Sequence, residues 1–151
     1  MSVKNEIEKK FLVINTIYRK LYISKEKITQ AYLSKDPKRS VRIRINDKKG
    51  WITVKGKSFD KGLSRMEWES EIPIAVAKEL LKICLPEPII KTRFKIPLNK
   101  NLTIEVDEFS GHKKGLVLAE VELPSKNKTF KKPDWLGKEV TGIKKFYNSM
   151  M

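Results

Sequence analysis

The stretch Glu6-Ile7-Glu8-Lys9-Lys10-Phe11-Leu12-Val13 lies near the start of the chain and sets the pattern on which the fold depends. Side chains of a β-strand alternate between two faces. One face of this stretch therefore carries Glu6, Glu8 and Lys10, and the other is mainly apolar, with Lys9 among the apolar residues. For one strand alone, a solvated outer face explains this pattern. Whether the charged face has another role therefore depends on whether other strands repeat the pattern.

The two-faced pattern recurs in about eight segments, which we predict to be β-strands. After the first strand they cover residues 28–33, 40–45, 51–56, 66–72, 89–96, 102–109 and 116–123. In most of them an apolar face stands opposite a face with two or three ionisable groups, such as Arg42 and Arg44 or Glu120 and Glu122. Like charges this close repel each other. A folded protein tolerates many such pairs more readily when ligands of opposite charge neutralise them.

These strands are compatible with a sandwich whose charged faces meet solvent, or with a sheet closed into a barrel without free edges. The recurrent like-charged pairs favour a barrel with a charged lumen and an apolar exterior. Its outer cover is predicted to be a short polar helix at residues 16–22, an amphipathic helix that begins after Pro73, and the C-terminal tail. The helix after Pro73 is expected to end at Pro86 and Pro88 and to pack through the stripe Ile74, Ala77, Leu80, Leu81 and Cys84.

Length and composition predict one folded domain over residues 1–151, since 151 residues with 40% hydrophobic content suffice for a single core. The apolar runs are too short to cross a bilayer, and the N-terminus lacks the apolar region of a signal peptide. One cysteine, Cys84, indicates a reducing compartment, so we expect a cytoplasmic protein. The net charge of +15 suggests an anionic partner, although a lysine-rich solvated surface explains it equally well.

Clustered acids and bases on the same wall would suit a metal-bound polyphosphate. Arginine and lysine bind phosphate oxygens, and clustered carboxylates bind hard cations such as Mg²⁺ or Mn²⁺. His112 is the only histidine and falls in a predicted turn, so histidine chemistry is not expected. The sequence also lacks a Walker loop, a GxGxxG motif and a CxxC motif, which excludes the usual nucleotide-fold and zinc signatures.

Eight short motifs occur in an order that resembles the CYTH superfamily, also called triphosphate tunnel metalloenzymes. They are Glu6-x-Glu8-x-Lys10, Gln30-Ala31-Tyr32-Leu33, Arg42-x-Arg44, Thr53-x-Lys55, Glu67-x-Glu69, Lys91-Thr92-Arg93, Glu105-x-Asp107-x-Phe109 and Glu120-x-Glu122. Residues 135–141 resemble the C-terminal segment of the family, so the resemblance covers nearly the whole chain.

The resemblance implies an α+β fold, in which eight antiparallel strands form a tunnel with a charged lumen and a few helices pack outside. It also implies ligands for the phosphates, namely Lys10, Arg42, Arg44, Lys55, Lys91 and Arg93. The metal ligands that it implies are Glu6, Glu8, Asp107, Glu120 and Glu122. Glu67 and Glu69 would complete the acidic wall, and Tyr32 matches a tunnel tyrosine expected to act with Lys10 in catalysis.

The expected reaction is Mg²⁺- or Mn²⁺-dependent hydrolysis of inorganic tripolyphosphate to pyrophosphate and phosphate, because the compact chain resembles the short bacterial tripolyphosphatases. Two alternatives share this fold: a class IV-type adenylate cyclase and a thiamine triphosphatase. A third alternative is a non-catalytic module that binds polyphosphate or nucleotide. The expected partner is a small polyphosphate rather than nucleic acid or a membrane, and the expected state is a monomer or a homodimer.

Overall fold

A computed structural model describes residues 3–151, in which nine β-strands account for most of the regular structure. The strands are β1 (Lys4–Val13), β2 (Ser24–Ser34), β3 (Arg39–Ile45), β4 (Gly50–Gly56), β5 (Ser64–Ile72), β6 (Leu85–Pro97), β7 (Thr103–Phe109), β8 (Val117–Glu122) and β9 (Leu136–Glu139). This part of the chain contains a single α-helix, α1 (Ile74–Lys82), and four short 3-10 turns. No helix in it is long and apolar enough to cross a membrane.

Eight strands close into one antiparallel barrel in the order β1-β5-β4-β3-β2-β6-β7-β8, which confirms the predicted fold. Strand β1 closes the ring, because residues 4–7 pair with β5 and residues 8–12 pair with β8. The ninth strand, β9, pairs with the end of β1 at Phe11 and Val13. The stretch that carries the two-faced pattern is therefore the strand that joins the two ends of the sheet.

The alternation of β1 follows the predicted faces. Lys10 borders the cavity inside the barrel. The ammonium of Lys9 lies outside, 6.0 Å from the centroid of the Phe130 ring. A shift of one residue in the pairing of β1 would exchange these two side chains and carry the whole charged row out of the lumen.

A large apolar core lies outside the barrel, between the outer faces of β1, β6, β7 and β8 and the segments that cover them. The covering residues include Tyr18, Phe130, Trp135 and Leu136. The predicted helix at residues 16–22 is only a 3-10 turn, Ile17–Lys20. So short a segment gains little from helical hydrogen bonds, and it is held instead by the buried Tyr18, whose hydroxyl donates to Glu108 at 2.6 Å.

Helix α1 covers the outer faces of β3 and β4, as the apolar stripe predicts. Ala77 is fully buried at the centre of this contact, against Gly50 at the start of β4. The prediction that Pro86 and Pro88 end the helix is wrong, since the helix ends at Lys82 and both prolines lie in β6. They fall where the pairing of β6 with β2 shifts register, a position that tolerates residues without an N–H donor.

The lumen itself is charged over only part of its length. A second apolar cluster, formed by Tyr32, Ile89, Phe109, Leu118 and Val140, fills one end. Phe109 and Leu118 share the faces of Asp107 and Glu120, so this cluster lies inside the barrel. Residues of the tail, Phe146 and Met151, pack against it. The barrel is therefore a tunnel with one apolar, closed end, a feature that the charge pattern did not predict.

Gly50 is predicted to be essential for the packing of α1 against β4. A Cβ atom at this position would lie 2.5 Å from the Cβ atom of Ala77, too close for the helix to keep its place. We expect Gly50→Ala to lower the free energy of unfolding by about 1–3 kcal/mol, measured by urea denaturation. Gly56→Ala is the matched control at the other end of β4, because its Cβ atom would meet Met66 at an ordinary 3.5 Å.

The free energy of unfolding of Gly56→Ala is expected to stay within about 1 kcal/mol of the wild-type value. Equal stability of the two variants would contradict the requirement for glycine at position 50 in the packing of α1.

Candidate functional site

The inner face of the barrel forms one cavity of about 270 Å³, lined almost wholly by polar and charged side chains. Every site residue expected from the sequence lines this cavity except Asp107. The lining includes Glu6, Glu8, Lys10, Tyr32, Arg42, Arg44, Lys55, Glu67, Glu69, Lys91, Arg93, Glu120 and Glu122. Residues that are distant in sequence meet here because they alternate on strands of one closed sheet.

Basic and acidic side chains face each other on neighbouring strands. Lys55 on β4 stands directly opposite Glu67 on β5, with 3.5 Å between the ammonium nitrogen and a carboxylate oxygen. The same ammonium lies 2.9 Å from Glu6 across the β1–β5 closure. Burial alone would lower the pKa of Lys55, but Glu6 and Glu8 outweigh it and raise the pKa to about 12. Lys55 is therefore a permanent positive charge in the cavity.

Arg42 and Arg44 on β3 both approach one carboxylate oxygen of Glu69 at 3.5 Å, which is a weak contact for a guanidinium. Glu69 accepts a much shorter hydrogen bond, 2.6 Å, from the hydroxyl of Thr53. Burial, together with the neighbouring Arg42 and Arg93, lowers the pKa of Arg44 to about 10. The two arginines of β3 thus carry positive charge that this wall only partly neutralises.

Asp107 lies behind the cavity wall and holds two of the bases. The guanidinium of Arg93 donates to both of its oxygens, at 2.8 and 3.0 Å, and the ammonium of Lys91 lies at 2.8 Å. Although burial opposes ionisation, Arg93 and Lys91 lower the pKa of Asp107 to about 2. Burial lowers the pKa of Lys91 to about 8 even beside Asp107. Asp107 is therefore an ionised, buried anchor for the bases of β6.

Two pairs of carboxyl groups converge inside the cavity. Glu8 and Glu120 are close enough for a hydrogen bond between them, as are Glu6 and Glu67. Burial and the charge of Glu120 raise the pKa of Glu8 well above its ordinary value. Burial and Glu6 raise the pKa of Glu67 to about 7. One member of each pair therefore takes up a proton more readily than a lone carboxyl group does, as expected for two carboxylates at one site.

Glu122 is more exposed than these pairs. Its side chain is 53% exposed at the mouth of the cavity, where it accepts a 3.0 Å hydrogen bond from Lys4. Over residues 3–151 the acids gather two at a time, and no group of three or more potential metal-ligating side chains has the spacing of a metal site. The five expected metal ligands are thus divided between the carboxyl pairs, the buried Asp107 and the mouth.

Lys10 contacts the C-terminal tail. Its ammonium donates to the carbonyl of Phe146 at 3.0 Å and lies 5.7 Å from the centroid of the Tyr147 ring. Tyr32 also borders the cavity, at its apolar end. In this structure the Lys10 ammonium contacts the tail, and the expected partnership of Lys10 with Tyr32 in catalysis stays a prediction.

The ligands and catalytic residues assigned from the sequence cover only part of the lining. The additional residues are Lys4, Ser40, Thr53, Gly62, Leu63, Arg65, Glu105, Thr141, Gly142, Tyr147, Asn148 and Ser149. Strand alternation places Thr53 and Glu105 correctly, since they share faces with Lys55 and Asp107. The tail residues carry no periodic signal, and tertiary contacts bring the tail over the barrel end, among them the close approach of Gly62 to Gly142 and the hydrogen bonds of Asn148 with Lys91 and Gln30.

Asp107, which is buried against Arg93 and Lys91, is predicted to stabilise the folded protein. We expect Asp107→Asn to lower the free energy of unfolding by about 3–5 kcal/mol at pH 7, because Arg93 and Lys91 would remain buried without their counter-charge. Glu122→Gln at the exposed mouth is the matched control and should change it by about 0.5 kcal/mol or less. Chemical denaturation measures both.

The pH dependence of folding stability follows from the ionisation of the same carboxyl group, that of Asp107. Because the folded state depresses the pKa of Asp107, its ionisation stabilises the fold above the reference pKa of 3.8, and this contribution disappears as the pH falls towards 2. Asp107→Asn should lack that part of the acid transition. A variant as stable as the wild type at pH 7 would show that the anchor does not hold the barrel.

Comparisons with known proteins agree with this architecture. An inorganic triphosphatase from Acetivibrio thermocellus is 47% identical over 145 residues, which cover 95% of this chain and 90% of that protein. An inorganic triphosphatase from Nitrosomonas europaea is 32% identical over 150 residues, covering 97% and 95%. A crystal structure of an inorganic triphosphatase superposes with a TM-score of 0.67 at 29% identity, covering 96% of this chain and 95% of the other. A CYTH domain model matches residues 4–147, and the chain therefore belongs to the CYTH domain family.

Proposed function

We propose that the protein is a metal-dependent hydrolase of a small triphosphate, with inorganic tripolyphosphate as its substrate. The observation that carries this proposal is the barrel cavity, in which buried bases and paired carboxyl groups lie side by side. Phosphate binding needs the bases, and hydrated divalent cations need the carboxylates. The two inorganic triphosphatases related to this chain support the choice of substrate.

The phosphate chain is proposed to lie along the bases of the cavity. These bases are Lys10, Arg42, Arg44, Lys55, Lys91 and Arg93. Arg42 and Arg44 are the best placed for bidentate hydrogen bonds, since they make only weak contacts with Glu69. Lys91 and Arg93 are already held by Asp107 and would act mainly through their charge.

The carboxyl pairs fit a divalent cation by their chemistry. Glu8 with Glu120 and Glu6 with Glu67 each offer oxygen ligands from two carboxyl groups, and the pKa of Glu8 and of Glu67 is raised by the neighbouring carboxylate and by burial. Mg²⁺ commonly binds one or two carboxylates and completes its shell with water and substrate phosphates. We propose that these pairs hold the metal, that Glu122 contributes at the mouth, and that Asp107 serves as an anchor for the bases.

The reaction requires water to attack the terminal phosphorus, so that one P–O bond forms while the bridging P–O bond breaks and pyrophosphate leaves. A bound Mg²⁺ or Mn²⁺ would supply an activated water and neutralise developing charge. The protein's part is to hold the chain in line and to stabilise charge on the leaving group with Lys55 and the arginines. Lys10 is proposed to bind the attacked phosphate beside Tyr32.

The remaining expectations are proposals of the same kind. We propose that residues 1–151 act as one tunnel domain, as a monomer or homodimer in the cytoplasm, with Mg²⁺ or Mn²⁺ as the cofactor. Neither nucleic acid nor a membrane is part of the proposed function. The basic exterior would raise the local concentration of anionic substrate near the mouth.

A substrate panel tests the activity directly. Tripolyphosphate, pyrophosphate, ATP and thiamine triphosphate are incubated with Mg²⁺ or Mn²⁺, and both phosphate and cyclic AMP are measured. We expect phosphate release from tripolyphosphate in preference to the others, and complete loss of release after chelation with EDTA. Cyclic AMP formation from ATP without phosphate release would assign the protein to the cyclases instead.

Glu120→Gln separates an enzyme from a simple anion binder. Removing a carboxylate from the metal site should lower phosphate release by roughly 100-fold or more. Tripolyphosphate binding should not weaken, because one negative charge has been removed from the cavity. Glu71→Gln is the control, since Glu71 is exposed at the end of the same kind of charged strand face and forms an ion pair with Lys49. Unchanged turnover in Glu120→Gln would contradict the proposal.

A further inference from the structure

The closed end of the cavity contains a polar wall formed by Gln30, Lys91 and Asn148, which we call the end wall. The carboxamide oxygen of Asn148 accepts hydrogen bonds from the ammonium of Lys91 and from the amide nitrogen of Gln30, each at 3.0 Å. Gln30 is fully buried and Lys91 is 1% exposed. Two buried residues of the barrel thus fix one residue of the tail.

The orientation of the Asn148 amide follows from the chemistry of its partners. A lysine ammonium has three donors and no acceptor, so the atom of Asn148 that faces Lys91 must be the oxygen. The same constraint makes Gln30 present its nitrogen to that oxygen. It leaves the buried oxygen of Gln30 without a hydrogen-bond partner among residues 3–151. The end wall therefore keeps its arrangement at the cost of an unsatisfied acceptor.

The amide nitrogen of Asn148 is thereby turned away from both partners. It makes no hydrogen bond to any residue between 3 and 151, and Asn148 lines the cavity. The apolar cluster around Tyr32, Phe109 and Leu118 lies at the same end of the lumen. A phosphate chain that entered the charged part of the tunnel would meet this closed end with its leading phosphate.

We propose that Asn148 is a substrate-binding residue, whose amide nitrogen donates a hydrogen bond to the terminal phosphate of a linear phosphate chain. This inference rests on the proposed function, because it deepens the account of the same cavity. Lys91 and Gln30 serve as positioning residues that hold the donor in place. The tail thus adds a neutral donor to the basic groups that the strands supply.

Asn148→Asp tests the contact with little change in shape. A carboxylate keeps the acceptor that Lys91 and Gln30 use, but it replaces the donor with a negative oxygen. We expect tripolyphosphate to bind about tenfold more weakly or worse, while the midpoint of thermal unfolding stays at or above that of the parent protein. Asn5→Asp, on the exposed outer face of β1, makes the same chemical change and should leave the affinity unchanged.

Binding is measured by calorimetric titration of tripolyphosphate with Mg²⁺ into proteins that also carry Glu120→Gln, so turnover does not interfere. An Asn148→Asp variant that binds as tightly as its parent would overturn the inference. So would a loss of affinity that comes with a fall of several degrees in the unfolding midpoint, since Asn148 would then only hold the fold. If tripolyphosphate binds as predicted but the wild-type protein releases no phosphate, the proposed hydrolysis fails while the Asn148 contact stands.

Discussion

The structure depends on one electrostatic constraint: a barrel with ionisable side chains on its inner face must neutralise them inside. It does so strand by strand, with Lys55 opposite Glu67 and Arg93 opposite Asp107 across the ladders. Opposite charges do not meet on every ladder, however, since Glu8 lies opposite Glu122 and Glu105 lies opposite Glu120. The sequence interpretation assigned this neutralisation to bound ligands. The structure assigns much of it to cross-strand partners, and the groups left incompletely neutralised, namely the β3 arginines and the carboxyl pairs, mark where substrate and metal are proposed to bind.

The two ends of the lumen differ in chemistry, and this difference gives the tunnel a direction. One end holds an apolar cluster with Tyr32 and Phe109, against which the tail packs. The other end carries exposed charges such as Lys4 and Glu122. Because desolvated charges interact more strongly, the sheltered part of the cavity suits phosphate chemistry. With an open mouth and a closed end, the proposed substrate would enter and the products would leave by the same route.

Strand alternation predicted most of the fold and most of the site, because in a closed barrel the side-chain period of two decides which residues face inward. It placed Lys10 inside and Lys9 outside, and it brought both carboxyl pairs to the cavity. Strand alternation makes no prediction where the sequence lacks this period of two. The tail that positions Asn148 has no repeating pattern, and its place depends on tertiary contacts with Lys91 and Gln30. Alternation also predicts only that Asp107 faces the lumen. It does not show that Arg93 and Lys91 hold the Asp107 carboxylate behind the cavity wall.

The central claim is that the charged face of β1 lines the tunnel and binds the substrate. Lys9 and Lys10 test it most directly, because adjacent residues of identical chemistry face opposite sides of one strand. Lys10→Gln should lower kcat/KM for tripolyphosphate by roughly 100-fold or more, since a charge at the reacting phosphates is lost. Lys9→Gln should stay within about threefold of the wild type, as expected for a change away from the site. Equal losses in both variants, or a larger loss in Lys9→Gln, would contradict the account.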